Sequence, residues 1–104
     1  MRQFTYPARL KQDDEGRYLV TFPDFPEALT DGATIDEALF EAADALDEAM
    51  AARISHEEEI PEPSKLKRGQ YEVPAPALIS AKAALTLAAA EANMSKSGAS
   101  LEAD

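Results

Sequence analysis

The sequence contains no cysteine and a single histidine, His56. The lack of cysteine excludes disulfides, thiolate metal sites and cysteine nucleophiles. The first residues have no apolar core of a signal peptide, and no stretch approaches the apolar length of a membrane span. The sequence therefore predicts a soluble protein of a reducing cytoplasm, and nothing in it calls for a cofactor.

Positive charge is also scarce. The chain has 10 basic and 20 acidic residues, which gives a formal net charge of −10. An acidic surface repels phosphate backbones, so general nucleic-acid binding by the main body is disfavoured. The same surface suits a basic protein partner, whose approach it would steer. On charge alone, however, acidity that serves only solubility is the preferred interpretation.

No constellation of residues favours catalysis. Paired carboxylates can hold divalent metals in a nuclease, but they must lie on adjacent central strands. The candidates, Asp13, Asp14, Glu15, Asp24 and Asp31, fall in predicted turns and loops, where polar residues are common. A lone His56 cannot form a histidine-rich metal site. We therefore expect no catalytic or metal-binding residue. The alternative, a metal-dependent ribonuclease, predicts magnesium-dependent RNA cleavage that is lost on Asp24→Asn.

Alternating apolar residues predict strands at both ends of the first 76 residues. Phe4, Tyr6, Ala8 and Leu10 alternate with polar neighbours, and Tyr18, Val20 and Phe22 repeat the pattern after a polar turn. A short strand is predicted at residues 27–30 and another at residues 70–73. Pro7 has no N–H group for a ladder and requires an edge, an outward N–H or a bulge.

The region from Thr34 to Ile54 predicts a helix that is apolar on one side. Thr34 is a good N-cap, and Glu37 lies three residues on, as in a capping box. The predicted inward stripe consists of Ile35, Ala38, Leu39, Ala42, Leu46, Ala49 and Met50. The opposite side is acidic, with Phe40 among the acids. The sequence supports equally a contact of Phe40 with a second chain and one within its own chain.

These elements predict an α+β fold with the order βββαβα. The antiparallel sheet is expected to carry the first helix across one face, and a second helix is predicted at residues 78–92. The expected core comprises Phe4, Tyr6, Leu10, Tyr18, Val20, Phe22, Ile35, Leu39, Leu46, Met50 and Val73.

Four segments resemble the HicB family of antitoxins. They are YPARL in the first strand, YLVTFPDFPEALTDG, TIDEALFEAADALDEAM and EEIPEPS. The resemblance covers residues 3–64 closely and residues 71–92 less specifically. Many family members carry a Gly-Cys pair where this chain has Glu27-Ala28, which bears on the local turn and leaves the fold unaffected.

The resemblance implies a partial ribonuclease-H-like fold without nuclease chemistry. It also implies an antitoxin that neutralises a small basic mRNA-cleaving toxin of the HicA type, either alone or together with repression of its own operon. Residues 1–76 would form the HicB-like domain. Residues 77–104 would form a C-terminal helix and an incomplete helix-turn-helix whose second helix starts near Ser97. Since the recognition helix is missing, either the chain is shortened or it does not bind DNA alone. We expect weak or no operator binding by these 104 residues.

Three sets of residues are candidates for contacts. The predicted toxin contacts are Asp24, Phe25, Glu41, Asp44 and Glu48. The predicted contacts of a homodimer, or of a larger homo-oligomer, are Phe40, Tyr71, Val73, Ile79, Ala83 and Leu87. The predicted DNA contacts are Lys82 and Lys96. For Phe25, the interpretations as a binding corner and as a core residue remain open.

Overall fold

The computed structural model describes the backbone of residues 4–103 and the side chains of residues 4–91. Its elements are β1 (Thr5–Gln12), β2 (Tyr18–Phe22), β3 (Phe25–Gly32), α1 (Ile35–Ser55), β4 (Tyr71–Pro74) and α2 (Ala77–Ala103). The predicted α+β fold and its order are confirmed. β3 is longer than predicted, because it begins directly after the bend that follows β2.

The four strands form one antiparallel sheet in the order β3-β2-β1-β4. β1 pairs with β4 through Thr5–Ala8 and with β2 through the stretch that begins at Arg9. Pro7 therefore lies before the β1–β2 ladder begins, so its missing N–H interrupts no pair there. The strand remains central in spite of the proline.

The acidic turn between β1 and β2 is held by hydrogen bonds from its backbone to the Asp13 side chain. Asp13 Oδ1 accepts hydrogen bonds from the N–H groups of Glu15 and Arg17, both at 2.9 Å. Gly16 has φ +83°, a conformation that favours glycine. Asp13 thus shapes the turn, as its sequence context indicates.

The core lies between the sheet and α1. The expected residues Phe4, Tyr6, Val20, Phe22, Leu46, Met50 and Val73 are buried, while Leu10, Tyr18 and Leu39 are partly buried and pack against them. Ile35 was predicted wrongly, since it is 36% exposed. A helical side chain covers the turn that precedes it, and the first residue of a helix has no preceding turn.

The start of α1 lies very close to the end of β3. A Cβ atom on Gly32 would lie 2.4 Å from the backbone nitrogen of Ala38, so only glycine fits there. The Glu37 N–H donates to Thr34 Oγ1 at 3.1 Å, which confirms Thr34 as the N-cap. This close approach fixes the direction in which α1 crosses the sheet.

α2 begins as part of the same core. Ile79 and Ala83 are buried, although both lie beyond the boundary predicted at residue 76. α2 is described as one helix to Ala103, through the position near Ser97 where the sequence predicts the start of a second helix. The sequence there contains no proline, and a single Gly98 is tolerated within a helix. In the part of the chain that is described, neither helix is long and apolar enough to cross a bilayer.

Candidate functional site: the acidic face of helix α1

The solvent side of α1 presents a continuous row of carboxylates. This acidic face consists of Asp36, Glu37, Glu41, Asp44, Asp47 and Glu48. It includes three predicted toxin contacts, Glu41, Asp44 and Glu48, which the helical repeat brings to one side. None of the six forms an ion pair with any basic side chain among residues 4–91. Their charge is therefore available to a partner.

Phe40 lies within the acidic face. Asp36 and Asp44, one helical turn away on either side, are its neighbours. The ring is 73% exposed, so the contact within its own chain that the sequence left open does not cover it. Aromatic residues, phenylalanine among them, are enriched at protein interfaces, so this exposed ring is a candidate contact. Phe40, assigned to self-association by the sequence, thus shares one surface with the toxin candidates.

Phe25 is a core residue, and its prediction as a toxin contact is wrong. Its ring is fully buried and meets Tyr6 edge to face, with ring centroids 4.9 Å apart. A register shift between Thr21 and Phe22 places Phe25 opposite Phe22 and directs it inward. A partner cannot reach this side chain.

Asp24 anchors the segment that leads to β4. Its carboxylate accepts hydrogen bonds from the N–H of Ser64 at 2.9 Å and from the Ser64 hydroxyl. The prediction that Asp24 contacts a toxin remains untested. Its two bonds to Ser64 give it a structural role across 40 residues of sequence.

Arg53 joins three parts of the molecule, a role that no local pattern in the sequence indicates. Its guanidinium donates to Glu27 Oε2 at 2.6 Å and Oε1 at 2.9 Å, which fastens the end of α1 to β3. It also donates to the Glu59 carbonyl at 3.2 Å and lies 4.6 Å from the Phe25 ring centroid. The hydrogen bond from Arg53 lowers the pKa of Glu27 below its usual value. Because these partners are far apart in sequence, local patterns could not reveal the cluster.

Some of the predicted dimer contacts are buried in the structure and others are exposed. Val73, Ile79 and Ala83 are buried in the core of their own chain, and Leu87 is partly buried. Val73, Ile79 and Ala83 are not open to a second copy, because the strand and helix that carry them pack inward. Of the predicted set, Phe40 and Tyr71 are exposed. Self-association itself remains a prediction.

The acidic residues considered for metal binding do not gather into a site within the described part of the chain. Lys82 is exposed on α2, and the side chain of Lys96 lies outside the described residues. Asp31 pairs with Arg17 at 2.9 Å, and this hydrogen bond lowers the pKa of Asp31. Within the described residues, no group of three or more potential ligands could hold a metal ion.

A family model described as "HicB_like antitoxin of bacterial toxin-antitoxin system" matches residues 5–84. The chain belongs to the HicB-like antitoxin family. The match runs from β1 into α2 and contains the whole acidic face of α1. The family predicted from the sequence is confirmed.

Curated relatives support the same family. Antitoxin HicB 1 of Photorhabdus laumondii is 42% identical over 74 residues, which are 71% of this chain and 48% of the relative. Antitoxin HicB of Escherichia coli K12 is 40% identical over 80 residues, which are 77% of this chain and 58% of the relative. The chain thus spans about half the length of the curated HicB antitoxins that it matches.

A solved structure shares the fold. The crystal structure of the N-terminal domain of Burkholderia pseudomallei antitoxin HicB aligns with a TM-score of 0.54 at 21% identity. It covers 71% of this chain and 98% of that domain. The sheet and its helix are therefore the HicB N-terminal fold.

Proposed function

We propose that this protein neutralises a small, basic, RNA-cleaving toxin of the HicA type, which it binds through the acidic face of α1. Membership of the HicB-like antitoxin family carries the proposal. The face adds physical support, because its six carboxylates are free of ion pairs with the described basic residues and flank one exposed aromatic ring.

The proposed inhibition is a competition for one surface. A protein that cleaves RNA must attract phosphate groups with basic side chains, and those side chains also attract carboxylates. Glu41, Asp44 and Glu48 would occupy positions that phosphates take in the substrate. Phe40 would supply apolar contact area at the centre, where water is most fully excluded. The field of a chain with net charge −10 would also speed the encounter.

Co-expression with the adjacent small open reading frame tests this function. The unaltered chain should abolish growth arrest by that neighbour. The triple variant Glu41→Lys/Asp44→Lys/Glu48→Lys should lose protection, because like charges would then face each other. The matched control is Asp14→Lys/Glu15→Lys/Glu72→Lys, which makes the same change of charge at exposed residues away from α1. If the unaltered chain gives no protection, the proposed function is wrong.

Phe40→Ala separates the aromatic anchor from the charges. The substitution leaves net charge and core untouched, since the ring is exposed. We expect affinity for the purified toxin to fall by at least about tenfold, as for a central aromatic contact. Titration calorimetry measures the loss, and circular dichroism checks the fold. Unchanged affinity of both this variant and the triple variant would place the toxin on another surface.

A further inference from the structure

A second surface lies at the other end of α1, where a groove runs between that helix end, residues 57–60 and α2. The groove has a volume of about 630 Å³, within the usual range for binding sites. Its apolar lining is formed by Ile54, Ile60, Leu87, Ala89 and Ala90. Ile60 is buried at its base, and Leu87 is partly buried. The groove can therefore accept an apolar side chain.

One rim of the groove is strongly acidic and held in place. Glu57, Glu58 and Glu59 line it in succession, and all three are exposed. The N–H of Glu58 donates to the Arg53 carbonyl at 2.7 Å, and the N–H of Glu57 donates to the Ile54 carbonyl at 3.2 Å. These two bonds form a Schellman-type end to α1. The three carboxylates favour a positively charged occupant.

The same chain carries a segment with matching chemistry. Residues 65–68 read Lys-Leu-Lys-Arg, and Leu66 is 48% exposed at their centre. No side chain among residues 4–91 forms an ion pair with Lys65, Lys67 or Arg68. We call residues 65–68 the basic loop. It is the densest run of positive charge in a chain whose net charge is −10.

Hydrogen bonds hold the basic loop at both ends. Before it, Ser64 is bonded to Asp24. After it, the N–H of Gln70 donates to the Lys67 carbonyl at 3.0 Å, and the Lys67 N–H donates to Gln70 Oε1 at 2.8 Å. Gly69 has φ +82°, as the third residue of a type II turn requires. A segment fixed in this way loses little conformational entropy on binding.

We infer that the groove is a self-association site that receives the basic loop of a second copy of this chain. Leu66 would enter the apolar groove, and Lys65, Lys67 and Arg68 would meet Glu57, Glu58 and Glu59. Both halves of the contact are present on every chain, so two copies can exchange loops about a two-fold axis. This inference goes beyond the proposed inhibition, because neither the groove nor the basic loop belongs to the acidic face of α1.

A charge exchange tests the pairing with two full-length variants. The groove variant is Glu57→Lys/Glu58→Lys/Glu59→Lys, and the loop variant is Lys65→Glu/Lys67→Glu/Arg68→Glu. Each variant alone opposes like charges, so its self-association should weaken by at least about tenfold in sedimentation equilibrium. Mixed in equal amounts, the two should associate, since every contact in the mixed dimer joins opposite charges.

The acidic-face variant Glu41→Lys/Asp44→Lys/Glu48→Lys is the control, and its mass should equal that of the unaltered chain. Leu66→Ser should also weaken association without any change of charge. A monomeric mass of the unaltered chain at about 100 µM would overturn the inference, since interfaces of standard size bind in the micromolar range or tighter. Variants that still associate alone, or a mixture that does not, would also overturn it. Loss of toxin protection with association intact would contradict the proposed function alone.

Discussion

The two helices of this protein differ in what their sequences say about burial. α1 is acidic on one side and apolar on the other, and its apolar side packs on the sheet. α2 buries Ile79 and Ala83, yet Leu78 is 82% exposed and Leu85 is 71% exposed. A helix with one apolar stripe has one possible inward side, whereas a helix that is apolar all round has several. The orientation of a helix on the core is therefore predictable when one side is polar and the other apolar, whatever its overall hydrophobicity.

Leu46→Ala tests the inward side of α1 and should have the largest effect. The side chain is fully buried, so its removal should lower the free energy of unfolding by roughly 2–5 kcal/mol. Phe40→Ala, on the opposite side of the same helix, should change it by about 0.5 kcal/mol or less. Urea titration followed by circular dichroism measures both. Similar losses in the two variants would show that α1 is not oriented as described.

The same comparison within α2 uses two adjacent residues. Ile79→Ala should destabilise by about 2 kcal/mol, because the side chain is buried in the core. Leu78→Ala should be within about 0.5 kcal/mol of the unaltered chain, since Leu78 is exposed. The urea midpoints of the two variants give the answer. A larger loss at Leu78 than at Ile79 would mean that the opposite side of α2 faces the sheet.

The smallest expected effect concerns the ion pair at the end of α1. Arg53 holds the pKa of Glu27 below its ordinary 4.5, so the stabilisation is complete above that pH and is lost as pH falls through the lower folded-state pKa. Because the pair is partly exposed, Glu27→Gln should cost less than about 1 kcal/mol at pH 7. Unfolding measured at neutral and acidic pH should show the difference between variant and unaltered chain disappearing in acid. A difference that persists in acid would assign the loss to packing.

Local sequence rules predicted the parts that depend on near neighbours. Thr34 accepts the predicted capping bond, and Phe22 and Leu46 lie in the core as their periodicity indicates. These rules did not predict burial that depends on contacts between residues far apart in sequence. Phe25 turns inward through a register shift in β3, and Ile79 packs on a sheet formed mainly by the first 32 residues. Neither the register shift nor the packing of Ile79 on the sheet can be recognised from the few residues around it.

The candidate surfaces also divide into those predicted from local sequence patterns and those formed only by tertiary contacts. Helical periodicity alone placed Glu41, Asp44 and Glu48 on one side of α1, with Phe40 among them. Which side of α2 is buried depends on how its first turns meet the core, as Ile79 shows. The Arg53 cluster and the groove beside residues 57–60 also depend on chain segments that meet only after folding.

By itself the sequence determined the family, the order of the elements and the acidic face of α1, because strand alternation, helix capping and the helical repeat act over a few residues. The tertiary structure decided that Phe25 is buried, that Phe40 is exposed, and that Glu57 to Glu59 border a groove. Those outcomes depend on which surfaces the sheet and the two helices cover. The burial of a side chain depends on the residues that pack against it, and these can lie anywhere in the sequence.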